Sequence, residues 1–323
     1  MSETRARGTV GVVLVNWNGA DHTIPCIESL LAGSVTPDRI VVVDNASRDD
    51  SAERIERRFR NVTLLRNSEN LGFTGANNLG IERLTAAGCE YIWILNNDTT
   101  VDRACLSALR EHLDAHRDVA ACSGKVLYAE PNDLIWYAGA TVNAWTFQAT
   151  HRGVGERDAG RYDRIEATPF ISGCCMFVRR DALQRIGAFD DRFFAYYEDA
   201  DWCLRAGEAG LRLDYQPRAM IWHKVSATLQ SLNEPGSAGM TSPFGVYITG
   251  RNRWFLIRKH ARSPVRLATA AVAHAAATSY HAGGLLLLGR FRKLKALALS
   301  VYDGLLEPLD DVASVRKKPR YLV

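Results

Sequence analysis

The sequence predicts an α/β fold, in which helices cover both faces of a Rossmann-like, mostly parallel sheet. Runs rich in β-branched residues recur at residues 9–15, 39–43, 62–65 and 91–95, which is the pattern of buried strands. Apolar residues at helical spacing lie between these runs. Strands that alternate with helices in this way form βαβ units, and such units assemble a parallel sheet.

The later elements follow a different pattern. Residues 119–178 contain shorter strand-like pieces, which we interpret as a mixed extension of the sheet. Glu198 begins a predicted helix that ends near residues 207–210, and two strand-like segments follow at residues 211–215 and 221–223. We therefore expect one α/β domain over residues 1–230, followed by a helical extension over residues 231–323.

The composition is that of a folded globular protein, with 323 residues, 47% apolar and 24% charged. Such values exclude a disordered or collagen-like chain. The seven cysteines form no C-x-x-C pair, so we expect reduced thiols in a cytoplasmic protein rather than disulfides or a zinc ribbon. The N-terminal sequence MSETRARG lacks the apolar core of a signal peptide, and we expect no export by that route.

Polar loops follow all four predicted strands of the first half. They contain Asn16 to Gly19, Asp44 to Ser47, Asn67 to Asn78, and Asn96 to Asp98. Ligands of parallel sheets bind beyond the carboxyl ends of the strands, so these loops are candidates for a binding site. For any single loop, ordinary turn and helix-cap chemistry is the alternative explanation.

The first loop excludes two common nucleotide-binding classes. It contains neither a G-x-x-x-x-G-K-[ST] sequence nor a G-x-G-x-x-G sequence, which argues against a P-loop NTPase and a dinucleotide-dependent dehydrogenase. Asp44, at the end of the second strand, is placed to accept hydrogen bonds from a ribose or a base. Gly72 and Gly75 would allow a ligand to approach the backbone closely.

Two groups of acidic residues are candidates for chemistry. Asp98 ends the Asn96-Asn97-Asp98 sequence and could bind Mg²⁺ or Mn²⁺, which take one or two protein carboxylates and complete their shell with phosphate and water. The alternative is that Asp98 caps a helix beginning near Asp102. Glu198, Asp199 and Asp201 stand at the start of a helix, where carboxylates are also stabilised by the helix dipole.

The spacing within the second group suggests a division of roles. Glu198 and Asp201 are three residues apart and share a helix face, while Asp199 points away from them. One carboxylate could act as a general base while its neighbours orient it or bind the acceptor. His223, near the end of the last strand-like segment, is either a core histidine or a metal ligand.

Six linked motifs resemble the inverting glycosyltransferases of family 2, particularly the bacterial rhamnosyltransferase-like group. The resemblance covers roughly residues 9–225, in the expected order. The motifs are Val15-Asn16-Trp17-Asn18, Val43-Asp44-Asn45-Ala46-Ser47, Glu69-Asn70-x-Gly72-Phe73-x-x-Gly75-Ala76-Asn77-Asn78, Asn96-Asn97-Asp98, Gly187-x-Phe189-Asp190-x-x-Phe193-Phe194 and Glu198-Asp199-x-Asp201.

The resemblance implies a GT-A fold that binds a nucleotide diphosphate sugar, with dTDP-rhamnose favoured and UDP-sugars next. It implies that Asp199 is the catalytic base, assisted by Glu198, and that Asp98 and His223 hold Mg²⁺ or Mn²⁺. Asn96 stands where the family usually has an aspartate, which leaves one carboxylate fewer. Donor-binding residues by the same resemblance are Asn16, Asn18, Asp44, Asn45, Gly72, Asn77 and Asn97, and the acceptor or sugar pocket would contain Ser172, Gly173 and Asp201.

The expected acceptor is a glycan or a polyprenyl-linked glycan in bacterial surface polysaccharide assembly. Two other functions remain open at this stage. A nucleotidyltransferase that makes sugar nucleotides shares the βαβ start and the metal-binding acids, although no Gly-rich phosphate loop with a basic residue is found near the N-terminus. A non-catalytic module that binds sugar nucleotides is the other alternative.

The C-terminal segment differs from the rest in charge. Residues 235–302 contain no Asp or Glu and ten of the 40 basic residues, which leaves 30 basic against all 36 acidic residues elsewhere. Residues 267–289 carry no charge and could span a membrane, lie on it, or form a soluble packing or homo-oligomer element. We expect contact with an anionic membrane surface, peripherally at its inner face, and no nucleic acid, because no binding motif for it accompanies the basic residues.

Overall fold

A computed structural model of the protein describes residues 8–225 and 242–308. The first half alternates strands and helices: β1 (Val10–Asn16), α1 (Ala20–Leu31), β2 (Arg39–Asp44), α2 (Ser51–Arg58), β3 (Thr63–Arg66), α3 (Gly72–Ala86), β4 (Tyr91–Leu95), β5 (Thr99–Val101) and α4 (Cys105–Ala115). The second half contains β6 (Val119–Tyr128), β7 (Ile135–Tyr137), β8 (Ala140–Val142), β9 (Ala149–His151), β10 (Glu166–Ala167), β11 (Cys175–Arg179), α5 (Arg180–Ile186), a 3₁₀ turn (Asp191–Phe193), α6 (Glu198–Glu208) and β12 (Arg212–His223). The C-terminal extension contains α7 (Pro243–His260), α8 (Pro264–Leu287) and α9 (Phe291–Leu306).

One large sheet organises the domain, with strand order β10-β12-β6-β11-β4-β1-β2-β3. The strands β3, β2, β1 and β4 are parallel to one another, β11 runs antiparallel to its neighbours β4 and β6, and β6 is parallel to β12. Parallel pairing buries both faces of a strand, which explains the continuous apolar runs in β1, β2 and β4. The predicted α/β class with a mostly parallel sheet is confirmed.

The strand β12 corrects one element of the prediction. The segments 211–215 and 221–223 are parts of a single strand, which pairs with β6 along its length. Its register with β6 shifts between Gln216 and Met220, so that residues 217–219 have no partner opposite them. Because Pro217 has no N–H to donate, an irregularity at this point is expected, and it made one strand look like two.

The C-terminal extension packs partly into the α/β domain. Phe255, Leu256 and Ile257 of α7 belong to the main hydrophobic core. Only Ala270 and Leu285 of α8 are buried. No helix in the described ranges has the length and apolar content that crossing a bilayer requires. The predicted domain boundary at residue 231 and most of the predicted loop around it lie outside the described residues, so the division into domains stays a prediction.

Candidate functional site

A cavity of about 550 Å³ opens where β1, β2 and β4 end. Val15, Asn45 and Leu95 mark these strand ends in its wall. The first turn of α6 and the end of β12 contribute further wall residues, so segments distant in sequence meet here. The predicted site residues that line this cavity are Asn45, Gly72, Asn97, Asp98, Ser172, Gly173, Glu198, Asp199 and His223.

Asp98 and His223 form a close pair in the cavity wall. The Oδ1 atom of Asp98 lies 3.0 Å from Nε2 of His223, and Nδ2 of Asn96 lies 3.2 Å from the same nitrogen. The pairing of β12 with β5 brings His223 opposite Thr99 and so places it beside Asp98. Both side chains of the pair are nearly fully buried, and the Nδ1 atom of His223 has no hydrogen-bond partner among the described residues.

The pair fits a divalent cation that is completed by phosphate. A carboxylate oxygen and a neutral imidazole are ligands that suit Mn²⁺, and Mg²⁺ typically takes only one or two protein carboxylates. Across residues 8–225 and 242–308, no three His, Cys, Asp or Glu side chains converge as a metal cluster. This agrees with the presence of Asn96 in place of a second carboxylate. A cation bound here would therefore need oxygen atoms from the phosphate groups of a bound molecule.

The alternative role of Asp98 as a helix cap is wrong. The strand β5 follows Asp98 directly, and the next helix begins only at Cys105, with Ala104 in the capping position. The backbone carbonyl of Asp98 accepts a hydrogen bond from the N–H of Lys224 at 3.0 Å. This bond ties the end of β12 to the Asp98 turn and helps to fix the pair.

Asp199 is held by two backbone donors. The N–H of Gly173 donates to its Oδ2 at 3.0 Å, and the N–H of Ala200 donates to its Oδ1 at 2.8 Å. Burial raises the pKa of Asp199, and these backbone hydrogen bonds oppose that rise. The carboxylate is therefore oriented by the chain, at the edge of the cavity, with a proton affinity above that of an exposed aspartate.

Glu198, beside it, is electrostatically different. Burial, followed by the charge of Asp199, raises its pKa well above the usual range. Its Oε2 atom is buried and has no hydrogen-bond partner among the described residues. Because two adjacent buried carboxyl groups do not readily ionise together, the pair holds one proton more easily than it holds none. Backbone hydrogen bonds oppose the rise in the pKa of Asp199, while the charge of Asp199 adds to the rise at Glu198, so Asp199 is the better candidate for the ionised base.

The sequence model of Glycosyl transferase family 2 matches residues 11–187, which is more than half of the chain. This chain belongs to glycosyl transferase family 2. The family match decides against both alternative functions, the nucleotidyltransferase and the non-catalytic module. The protein is a glycosyltransferase.

Two curated relatives point to the same group within the family. An N-acetylglucosaminyl-diphospho-decaprenol L-rhamnosyltransferase of Mycobacterium tuberculosis is 28% identical over 237 residues, which cover 67% of this chain and 76% of that protein. The dTDP-rhamnosyl transferase RfbF of Shigella flexneri is 23% identical, over 68% of this chain and 71% of its own length. The resemblance to the rhamnosyltransferase-like group is thereby confirmed.

A solved structure shows the same fold. The mannosyltransferase PcManGT of Pyrobaculum calidifontis, solved with GDP-Man and Mn²⁺, superposes with a TM-score of 0.57 at 18% identity. The match covers 94% of this chain and 88% of that one. At this identity the likeness concerns the fold alone, and it confirms the predicted GT-A architecture.

Several predicted donor-binding residues of the glycosyltransferase lie outside the cavity wall. Asp44 accepts hydrogen bonds from Nδ2 of Asn16 at 2.8 Å and from Oγ of Ser47 at 2.6 Å. The backbone N–H of Asn18 donates to the same Ser47 hydroxyl at 2.9 Å. These residues form a polar network at the strand ends, in which Asn16 and Asp44 are buried and Asn18 and Ser47 are half-buried. Asn77 is buried within α3, where its Nδ2 donates to the carbonyl of Phe73.

Asp201 also lies outside the cavity of the glycosyltransferase. Its Oδ2 accepts from Arg205 at 2.8 Å, and its Oδ1 lies 2.7 Å from Nζ of Lys259 and 2.9 Å from Nε2 of His260. Burial alone would raise its pKa, but the hydrogen bond from His260 and the charges of Arg205 and Lys259 hold the pKa below the usual value. The structure therefore shows Asp201 joining α6 to α7 and does not bring it to the predicted acceptor pocket.

The position of Gly72 has a different cause from the one expected. A Cβ atom on this residue would lie 2.3 Å from the carbonyl oxygen of Phe194, and its φ of +73° is one that few other residues adopt. The absence of a side chain at Gly72 therefore allows the backbone at Phe194 to approach closely, although Gly72 also lines the cavity of the glycosyltransferase. The loop before α6 is packed against the start of α3.

The sequence analysis missed most of the aromatic lining of the cavity. Trp136 of β7 packs edge-on against the ring of His223, with ring centroids 5.1 Å apart, and His151 lies against Trp136 at 4.7 Å. Both residues come from the mixed-sheet region, where no motif marks them. Trp17, Phe73 and Phe194 also lie in the wall; they belong to the quoted motifs but were not predicted as site residues. The remaining aromatic residues of the wall are Tyr196 and Phe244.

Proposed function

We propose that this glycosyltransferase is an inverting, divalent-metal-dependent enzyme that transfers rhamnose from dTDP-rhamnose to a hydroxyl of a glycan or polyprenyl-linked glycan. The pathway would be assembly of a bacterial surface polysaccharide. The observation that carries the proposal is that Asp98, His223 and Asp199 line one cavity. Residues that would contact the departing diphosphate and a residue that would contact the attacking hydroxyl are therefore present in one cavity.

In the proposed reaction, Asp199 removes the proton from the acceptor hydroxyl as its oxygen attacks the anomeric carbon. The bond between that carbon and the diphosphate oxygen breaks in the same displacement, so the configuration inverts. Asp98 and His223 would hold a divalent cation, and this cation would neutralise the negative charge that develops on the diphosphate. The N–H groups of Gly173 and Ala200 fix the orientation of the Asp199 carboxylate. A fixed orientation matters because a small misplacement of a catalytic group lowers the rate strongly.

The choice of rhamnose rests on the relatives, two of which are named as rhamnosyltransferases. Thermal-shift screening against dTDP-rhamnose, UDP-sugars and GDP-mannose, each with Mg²⁺, Mn²⁺ or a chelator, tests the donor. We expect dTDP-rhamnose with the metal to give the largest shift, and the chelator to remove most of it. A larger, metal-independent shift with another donor would contradict both parts of the proposal.

We also propose that the protein binds the surface of an anionic membrane, where a polyprenyl-linked acceptor would lie. The turn between α8 and α9 exposes Leu287 and Leu288, at 90% and 73% of their surface, and Phe291 beside them. Four basic residues follow this apolar tip in the sequence, and residues 235–302 contain no Asp or Glu. An apolar tip followed by basic residues complements anionic lipid head groups over a hydrocarbon interior. The four basic residues are Arg290, Arg292, Lys293 and Lys295.

Flotation with phosphatidylglycerol vesicles tests the membrane proposal. We expect the wild type to float, and the double variant Leu287→Glu/Leu288→Glu to remain at the bottom, because two acids at the tip oppose both insertion and charge attraction. Val154→Glu, at an exposed apolar residue of the α/β domain, is the matched control and should float like the wild type. If the double variant floats equally but changes from dimer to monomer in light scattering, the tip is a contact between copies of the chain instead.

A further inference from the structure

The loop that precedes the proposed base has an uncommon backbone. Phe194, Tyr196 and Tyr197 all have positive φ values, of 61°, 66° and 70°. At Phe194 the ψ angle is −56°, and the N–H of Ala195 donates to the carbonyl of Phe193 at 2.6 Å. This geometry is a γ-turn with positive φ, which is rare and strained. A run of such residues persists only where the surroundings enforce it.

A single side chain of the C-terminal extension provides much of that enforcement. Asn252 of α7 is fully buried, and its Nδ2 atom lies 2.7 Å from the carbonyl oxygen of Phe193, 2.7 Å from that of Ala195 and 2.8 Å from that of Tyr196. The neighbouring Arg251 donates to the carbonyl of Arg192. The two N–H donors of one amide group are thus shared among three backbone carbonyls within four residues of the loop.

The remaining carbonyl of this stretch is held from the other side. The N–H of Thr74, in the first turn of α3, donates to the carbonyl of Phe194 at 3.0 Å, and its hydroxyl lies 3.2 Å from the same oxygen. The loop is therefore clamped between α3 and α7. Phe193 is buried and residues 194–197 are half-buried, and their carbonyls are paired with protein donors, so removing Asn252 takes away a main support of the present conformation.

The clamp bears directly on the direction of the catalytic side chains. The helix α6 begins at Glu198, immediately after the loop, and the N–H of Asp201 donates to the carbonyl of Tyr197 at 2.9 Å. Asp199 thus lies two residues from the last strained residue. Any rotation of the loop would turn the first helical turn and move the Asp199 carboxylate away from the N–H of Gly173.

We propose that Asn252 is a positioning residue for the Glu198–Asp199 pair, and that α7 is for this reason part of the catalytic apparatus. The inference rests on the proposed role of Asp199 as the base. Lys259 and His260 reinforce the arrangement, because they bind Asp201 one turn further along α6. The helix α7 therefore holds both the loop and the helix that carries the base.

Two substitutions at position 252 test the proposal. Asn252→Ala removes the amide, and Asn252→Asp keeps its shape but replaces the donor with a group that the three carbonyls repel. We expect kcat for sugar transfer, or for donor hydrolysis with Mn²⁺, to fall by about 10- to 100-fold, since small misplacement of a reacting group has effects of this size. The KM for the donor should change less than threefold, because the Asp98–His223 pair is not touched.

Tyr247→Phe is the matched control on the same helix. It removes a buried hydrogen bond of 2.7 Å from the Tyr247 hydroxyl to Asp303 of α9, keeps the ring, and leaves the donors to the loop carbonyls in place. We expect it to lower the melting temperature and to leave kcat within twofold of the wild type. Equal losses of kcat in Tyr247→Phe and Asn252→Ala would overturn the positioning role, because both would then report only on the stability of α7.

Hydrogen exchange gives a second reading that does not depend on turnover. We expect amides of residues 194–201 to exchange at least tenfold faster in the Asn252 variants than in Tyr247→Phe. Unchanged exchange in this segment would overturn the proposal even if activity falls. If Asn252→Ala does not fold, the isosteric Asp variant carries the test. A wild type that turns over no donor would count against the proposed function, while the exchange comparison would still decide the role of Asn252.

Discussion

The strand-end wall of the cavity and its aromatic wall are built in different ways. The strand-end wall, with Asn45, Asn97 and Asp98, comes from loops that each follow a strand of the parallel sheet. The aromatic wall, with Phe194, Tyr196 and Phe244, consists of a strained loop and the start of α7. Asn252 of the same helix binds the loop by long-range hydrogen bonds. The first wall is fixed by local chain geometry, whereas the second depends on the packing of the C-terminal extension.

This difference predicts where substitutions act. Changes at the strand-end wall should alter donor and metal binding, while changes near the aromatic wall should alter the chemical step. This distinction would be wrong if variants of either wall changed donor and metal binding as much as they changed the rate of the chemical step.

The largest effect is expected at the base itself. Asp199→Asn should lower kcat by about 10²- to 10⁴-fold, the usual contribution of a general base, while donor binding persists. Glu198→Gln should cost less than tenfold, because burial and the charge of Asp199 raise the pKa of Glu198, and Gln matches the shape of its neutral form. Steady-state transfer rates and calorimetry of donor binding measure both. The reverse order of losses would assign the base to Glu198.

The next effect concerns Asp98 and His223, the proposed metal-binding pair. Asp98→Ala and His223→Ala should each weaken metal-dependent donor binding by about 10- to 100-fold, a loss estimated from the effect of changing groups that orient metal ligands. Calorimetry of dTDP binding with Mn²⁺ and with a chelator checks this. Without metal, the variants and the wild type should bind alike. A variant that binds as tightly as the wild type in Mn²⁺ would remove its residue from the site.

The pH dependence of the rate sharpens the assignment of the base. Burial raises the folded-state pKa of Asp199, so the active, ionised form should appear only above the usual aspartate value of about 3.9. We expect kcat/KM to rise with pH through this raised pKa, with a slope of one. In Asn252→Asp the pH at which kcat/KM rises should shift, because the new carboxylate lies near the loop that precedes Asp199. A profile that falls with rising pH across this range would contradict a carboxylate base.

The smallest effect concerns stability at low pH. Charged partners depress the pKa of Asp201 in the folded protein, so its contribution to stability is present above about pH 3.9, the unfolded value, and is lost as pH falls through the lower folded value. Lys259→Met should weaken this dependence and lower the stability at pH 7 by about 1–3 kcal/mol. Urea unfolding between pH 2 and 7 tests it. An unchanged pH slope would show that Lys259 does not couple to Asp201.

The strand-end wall could largely be predicted from the sequence. Asn45, Asn97 and Asp98 stand directly after apolar strands, and parallel strands bring such positions to one edge of a sheet. Only the family resemblance made His223 the preferred second residue of the proposed metal-binding pair. Its position depends on the pairing of β12 with β5, and the irregular register of β12 is not visible in the pattern of apolar residues.

The aromatic wall could not be predicted for a physical reason. Asn252 and the loop that it binds are more than 50 residues apart in sequence, and nothing in a run of buried helix residues marks one amide as a clamp. Asp201 illustrates the same limit. The predicted helix from Glu198 correctly contains Asp201 in its first turn, but helical spacing wrongly grouped Asp201 with Glu198, because Glu198 and Asp199 line the cavity and Asp201 does not. Its partners Lys259 and His260 belong to α7, and they make a predicted acceptor residue a buried link.

A crystal of the protein soaked with Mn²⁺ and dTDP-rhamnose would test the central claim most directly. Anomalous scattering should place one Mn²⁺ within about 2.3 Å of Oδ1 of Asp98 and Nε2 of His223, in contact with the diphosphate. The anomeric carbon should then lie between that diphosphate and the Asp199 carboxylate. A metal bound elsewhere, or a sugar whose anomeric carbon faces away from Asp199, would contradict the mechanism.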